Sequence, residues 1–220
     1  MLPPAHLPLL IPPSDAPTAT RWRTPRILLG LVLLIYGPMV LWHSASLFGI
    51  GGWNLCGCEL FVIGPVFGLA ALVVGAPLRY LLGRPRMTRE QVLVAATLLL
   101  GFLPMIWLAA HARMLGFTWA GERAAPLIAA IERHVAATGR PPARLQDLVP
   151  TWLDELPIGV PELRLVTTGE RYGNAWMLTA STPIGLMNFD EFCYLPNQNY
   201  PAHDPAGWWQ LLGRWGYLHE

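Results

Sequence analysis

Lysine is missing altogether: the 15 basic residues are all Arg. That removes the P-loop lysine, the Schiff-base amine and the Ser–Lys nucleophile pair as mechanisms. Cysteine is scarce, with Cys56, Cys58 and Cys193 as the full set, too few for a disulfide scaffold. Charged residues are only 13% of the 220, and three stretches (27–47, 60–78 and 92–110) contain no Asp, Glu, Lys or Arg. Ion pathways and proton relays need ionisable groups inside the membrane, which argues against a pump or transporter. His43 and His111 fall only at outer ends of these stretches. No HExxH, GxSxG or glycine-rich phosphate loop occurs.

What is present explains the low charge. Each uncharged stretch is about long enough to cross a hydrocarbon core of roughly 30 Å as a helix, the form that satisfies its own backbone in lipid. Residues 27–111 are therefore expected to be a three-helix membrane anchor. Arg21, Arg23 and Arg26 precede the first span, and Arg79, Arg84, Arg86 and Arg89 cluster around the 79–90 loop. The 48–59 loop has no basic residue. Since positive charge stays on the cytoplasmic side, the N-terminus and the 79–90 loop should be cytoplasmic and residues 112–220 outside. Trp22, Trp42, Trp53, Tyr80, Trp107 and Trp119 fall near span ends, where such rings prefer to sit. The Arg-only usage fits a GC-rich bacterial coding bias, so the expected location is a bacterial inner membrane.

Charge also divides the chain. Residues 1–111 hold seven Arg against three acids, a net +4; residues 112–220 hold eight Arg against eleven acids, a net −3. An acidic, Lys-free domain lacks the electrostatic footprint of a nucleic-acid binder. Residues 1–26 carry seven Pro and read as a disordered, Pro-rich cytoplasmic tail. An alternative is that the first span is a signal peptide cleaved near Ser44-Ala45-Ser46. Gly64 and Gly68 form a GxxxG, which lets helix backbones approach closely. They are assigned to packing among the chain's own spans.

The remaining half reads as an α+β domain. Ala124, Leu127, Ile128, Ile131 and Val135 recur at helical spacing and predict one main amphipathic helix over 120–139. A break or bend is expected near Gly116 and Gly121. Gly139, Pro141 and Pro142 stop the helix, and a short second helix follows at 143–149. Strands are predicted at 162–168, 174–181, 189–195 and 214–219. Helices first and strands after argue for one helix packed on a small antiparallel sheet.

The run Ala130-Ile131-Glu132-Arg133, Gly139-Arg140-Pro141-Pro142, Leu145-Gln146-Asp147-Leu148-Val149-Pro150, Leu153 and Leu156-Pro157 resembles the soluble domain of bacterial type II secretion pseudopilins. In that family a helix ends in a Gly/Pro turn, an LxxLVP segment follows, and a loop leads into an antiparallel sheet. The similarity covers about 120–157. It implies a domain architecture and carries no catalytic residue. The chain departs from the family in having three spans and no cleavage site at its start. Ile158-Gly159-Val160-Pro161 stands where that family has an Asp-Pro-Trp-Gly-like segment, and no calcium position carries over.

No catalytic, cofactor or metal residue is expected. Two candidate sites remain. Cys56 and Cys58 could form a thiol pair, with Cys193 as a third thiol. Trp208, Trp209, Trp215 and Tyr217 could form a partner surface, although the same rings could instead complete the sheet's core. The expected function is a non-catalytic, multi-pass membrane protein presenting an extracytoplasmic interaction or assembly domain to an envelope partner. The alternative is a thiol-dependent envelope redox protein or enzyme.

Overall fold

The computed structural model describes residues 23–53, 89–167, 172–183 and 189–220, together with Gly68, Ala70, Gly75 and 81–83. Three helices stand out: α1 Arg23–Ala45, α2 Arg89–Arg123 and α3 Ala125–Thr138. Among the described residues, two segments are long and apolar enough to cross a membrane, Arg26–Phe48 and Val92–Arg123. The expected span 60–78 falls outside the described residues except for Gly68, Ala70 and Gly75, all helical. Gly64, Cys56, Cys58 and residues 1–22 also lie outside them.

The two long helices run parallel. Tyr36 donates its hydroxyl to the Leu98 carbonyl at 2.9 Å and packs on Phe102. Further along both chains, Ser46 meets Gly116. Later residues of one helix thus pair with later residues of the other. α1 ends near the C-terminal half of α2. Gly68, between the two helices in sequence, lies against Ala95, Leu98 and Leu99 of α2. Gly101, a position without a sequence signal of its own, meets Val32, whose methyl carbons would lie 3.0 and 3.1 Å from an added Cβ.

The helix break is not where the glycines predicted it. α2 has 35 residues, about 52 Å at 1.5 Å per residue, and runs straight through Gly116 and Gly121. The interruption is at Ala124. Pro126, at the start of α3, has no N–H to return to the Glu122 carbonyl and is best tolerated in a first turn. The glycines serve close approach instead. The Ser46 side chain fills the space beside Gly116, and the Trp215 ring would lie 2.7 Å from a Cβ at Gly121.

α3 buries Leu127, Ile128, Ala130 and Ile131 and leaves Glu132 and Arg133 in solvent. It ends at Gly139, held left-handed at φ 72°, whose N–H bonds the Val135 carbonyl. That conformation suits glycine. A 3₁₀ turn, Leu145–Leu148, follows and buries both leucines. Its Asp147 carboxylate accepts from the Arg144 N–H at 3.0 Å.

Five strands form one antiparallel sheet in the order β1-β2-β3-β5-β4. They are β1 Arg164–Val166, β2 Met177–Ser181, β3 Glu191–Tyr194, β4 Trp208–Leu212 and β5 Trp215–His219. The four-strand expectation missed β4. Gly213 and Arg214 form a two-residue hairpin turn with Gly213 at φ 65°, a position where glycine is favoured. Leu178, Phe192, Tyr194, Trp215 and Tyr217 face the helices and share one core with Ile128, Ile131 and Leu148. Phe117 and Ala120 of α2 and Trp53 from the segment after α1 belong to the same core.

Candidate functional site

The core is aromatic at its centre. Phe192 stacks on Trp215 with centroids 4.4 Å apart and planes at 6°. Phe117 reaches Phe192, Tyr217 and Trp53 at 4.9, 5.1 and 5.2 Å. Trp215 is 2% exposed and Tyr217 is fully buried, which removes these two from the expected partner surface. Their alternation on β5 points them into the sheet–helix interface, where burial of large rings contributes most. Trp209, on the opposite face, is half-buried; its indole N–H donates to Asp204 at 3.1 Å and its ring packs on Tyr200. Of the four, only Trp208 is exposed, at 58%, and it stacks on His219.

The least expected residue is Arg113. A lone charge just past the third uncharged stretch, it is 2% exposed. Nη2 donates to the Thr182 carbonyl at 2.7 Å and the Trp53 carbonyl at 3.2 Å. The guanidinium carbon sits 5.0 Å from the Phe117 ring centre and 5.1 Å from that of Tyr217. Nε and Nη1 are buried with no hydrogen-bond partner, and no carboxylate among the described residues pairs with Arg113. A desolvated cation–π contact contributes about 2 kcal/mol. Burying a charge costs several kcal/mol, so the rings and two carbonyls leave the site short of negative charge.

Beyond the Tyr217 ring lies a carboxylate network. Asp190 is buried; it accepts from the Tyr217 hydroxyl at 2.7 Å and the Glu220 N–H at 3.0 Å. His219 Nδ1 stands 3.8 Å from Asp190, and its Nε2 meets Gln210 Oε1 at 3.1 Å. Burial lowers the His219 pKa below its usual value, partly opposed by the Asp190 charge, while Arg113 adds to the lowering. Burial likewise holds the Tyr217 phenol well above the usual range, against the Arg113 charge.

Beside Arg113 opens a cavity of about 430 Å³. Met39 and His43 of α1, Ile106 to Met114 of α2, Gln210 of β4 and His219 of β5 contribute to its wall. It sits where the uncharged runs of α1 and α2 end and the sheet begins. His43 and His111 each direct Nδ1 at a backbone carbonyl, of Gly52 at 3.3 Å and Trp107 at 2.8 Å. Since a carbonyl only accepts, Nδ1 carries the proton in both rings. A second arginine, Arg123, joins the layers by donating to the carbonyls of Gly159, Leu47 and Ser46.

Cys193 is buried on the face of β3 away from Phe192. Its Sγ lies 3.4 Å from Thr179 Oγ1 and 3.7 Å from Glu191 Oε2. Tyr200 covers this face, its hydroxyl donating to the Cys193 carbonyl at 3.2 Å and accepting from the Leu195 N–H at 3.1 Å. Shielding of this kind makes a thiol inert. No group of three or more His, Cys, Asp or Glu suited to a metal occurs among the described residues. Neither a family model, nor a curated protein, nor a solved structure matches the chain.

Proposed function

We propose that this is a non-catalytic, multi-pass protein of the bacterial inner membrane that holds a pseudopilin-like interaction or assembly domain on the extracytoplasmic side. The observation that carries this reading is the continuity of α2. One helix runs from an uncharged apolar stretch into the core of the α+β domain, where Phe117 and Ala120 pack with the sheet. The outer end of α1 is tied to the same domain through Arg123. Anchor and domain are thus joined as one piece.

Two further observations support a membrane setting. Only 22% and 11% of the apolar windows in α1 and α2 are buried within the protein, whereas the core helix of a soluble protein would be mostly covered. The parallel course of α1 and α2 also calls for a return passage between them, which 60–78 is apolar enough to make. The test is a topology reporter active only outside the membrane. Fused after Glu220 it should be active, and fused at Arg86 it should be silent; the reverse pattern would refute the orientation.

A further inference from the structure

We propose that the cavity beside Arg113 binds an anionic phospholipid, with the phosphate drawn to the Arg113 guanidinium and the start of an acyl chain lying along Met39, Ile106 and Ala110. The site rests on the reading of α1 and α2 as membrane-crossing helices, because that reading puts the cavity mouth level with lipid headgroups.

Three features point to this chemistry. First, Arg113 is 2% exposed and lines the cavity, and its Nε and Nη1 have no acceptor. A buried donor left unsatisfied calls for a missing partner, and a guanidinium is matched by phosphate oxygens. Second, no carboxylate among the described residues pairs with Arg113: Asp190, the carboxylate in this network, is engaged by Tyr217, Glu220 and His219. Third, the wall has two kinds of lining. Met39, Ile106, Ala109 and Met114 are apolar, and His43, His111, Gln210 and His219 are polar. A free inorganic anion would use the polar part alone, whereas an amphiphile uses both. A volume of about 430 Å³ is within the usual range for a small-molecule site and holds a headgroup with the first carbons of a chain.

The experiment uses the full chain purified in a neutral detergent, so it reads binding without regard to orientation. Phosphatidylglycerol, phosphatidylcholine and inorganic phosphate are added separately, and melting temperature and retained lipid by native mass spectrometry are measured. Phosphatidylglycerol should raise the melting temperature and remain bound. Phosphatidylcholine and inorganic phosphate should do neither. Arg113→Gln should weaken phosphatidylglycerol binding by about tenfold or more, the order expected for losing a charge-assisted contact. Arg113 also holds two carbonyls, so that variant can lose its fold. Ala110→Trp changes an exposed wall residue, leaves Arg113 in place, and should remove lipid retention while the protein stays folded. Equal retention of phosphatidylcholine, equal stabilisation by inorganic phosphate, or undiminished binding in Ala110→Trp would each overturn the proposal. A reversed topology reporter together with intact phosphatidylglycerol binding would refute the orientation and leave the site standing.

Discussion

Ser46 occupies the space that a side chain at position 116 would need. The Ser46 hydroxyl, which donates to the His43 carbonyl at 2.6 Å, is the first atom a Cβ on Gly116 would strike. The contact brings the C-terminal end of α1 against α2 just where α2 enters the domain.

Gly116→Ala should therefore lower stability by about 1–3 kcal/mol, the usual cost of overpacking. Combining it with Ser46→Gly should recover much of the loss, since both obstructing side-chain atoms are removed. Thermal melts of the two single variants and the double variant in detergent provide the check. Additive losses would mean that the helices separate at this point.

Phe117 touches rings from three parts of the chain. Its truncation to Ala should cost about 3–5 kcal/mol and loosen the sheet, read as lost near-ultraviolet dichroism. Ile131→Asp, which places a charge in the same core, should unfold the domain outright. A fragment beginning at 120 lacks both Phe117 and Trp53, and should be markedly less stable to urea than the domain within the full chain.

The buried phenols predict an alkaline limit. Burial pushes Tyr194 up to about 12, with Glu132 adding to the rise and Arg214 opposing it. Burial also raises Tyr200 and Tyr217. Because the folded values exceed the ordinary value of 10, the stabilisation is complete below pH 10. It is lost as the pH climbs through the folded values, since the unfolded chain gives up these protons first. Phenolate absorbance should rise together with unfolding. Tyr217→Phe should flatten this alkaline loss while costing about 1–3 kcal/mol at neutral pH, because Asp190 loses a donor.

With Cys56 and Cys58 changed to Ser, the folded protein should resist a maleimide, because Cys193 lies beneath Tyr200. Labelling should become complete in denaturant. Rapid labelling of the folded form would show that the 196–207 segment opens, and would return weight to the thiol-dependent alternative.

Much of the layout can be read from local pattern. The period of Leu127, Ile128 and Ile131, the Gly139 stop and the buried Leu145 and Leu148 are all properties of neighbouring residues. β4 lacks such a signal: Trp208-Trp209-Gln210-Leu211-Leu212 does not alternate, and its pairing with β5 is what makes it a strand. Arg113 is the larger omission. Its partners Trp53 and Thr182 are 60 and 69 positions away, and in sequence a buried guanidinium looks like any other charge. The exposed Trp208 and the buried Trp215 likewise differ only through the neighbours that the sheet gives them.

Trp53 has a consequence for biogenesis. It lies before the proposed return passage at 60–78 and the domain lies after that segment, yet it forms one wall of the domain's core. On the proposed topology the two meet only if that passage is completed. A chain that failed to make it would strand Trp53 on one side of the bilayer and the nascent sheet on the other. Phe117 would lose a stacking partner and Arg113 an acceptor. Faulty insertion would then register as an unfinished fold, a form that quality-control proteases recognise and degrade.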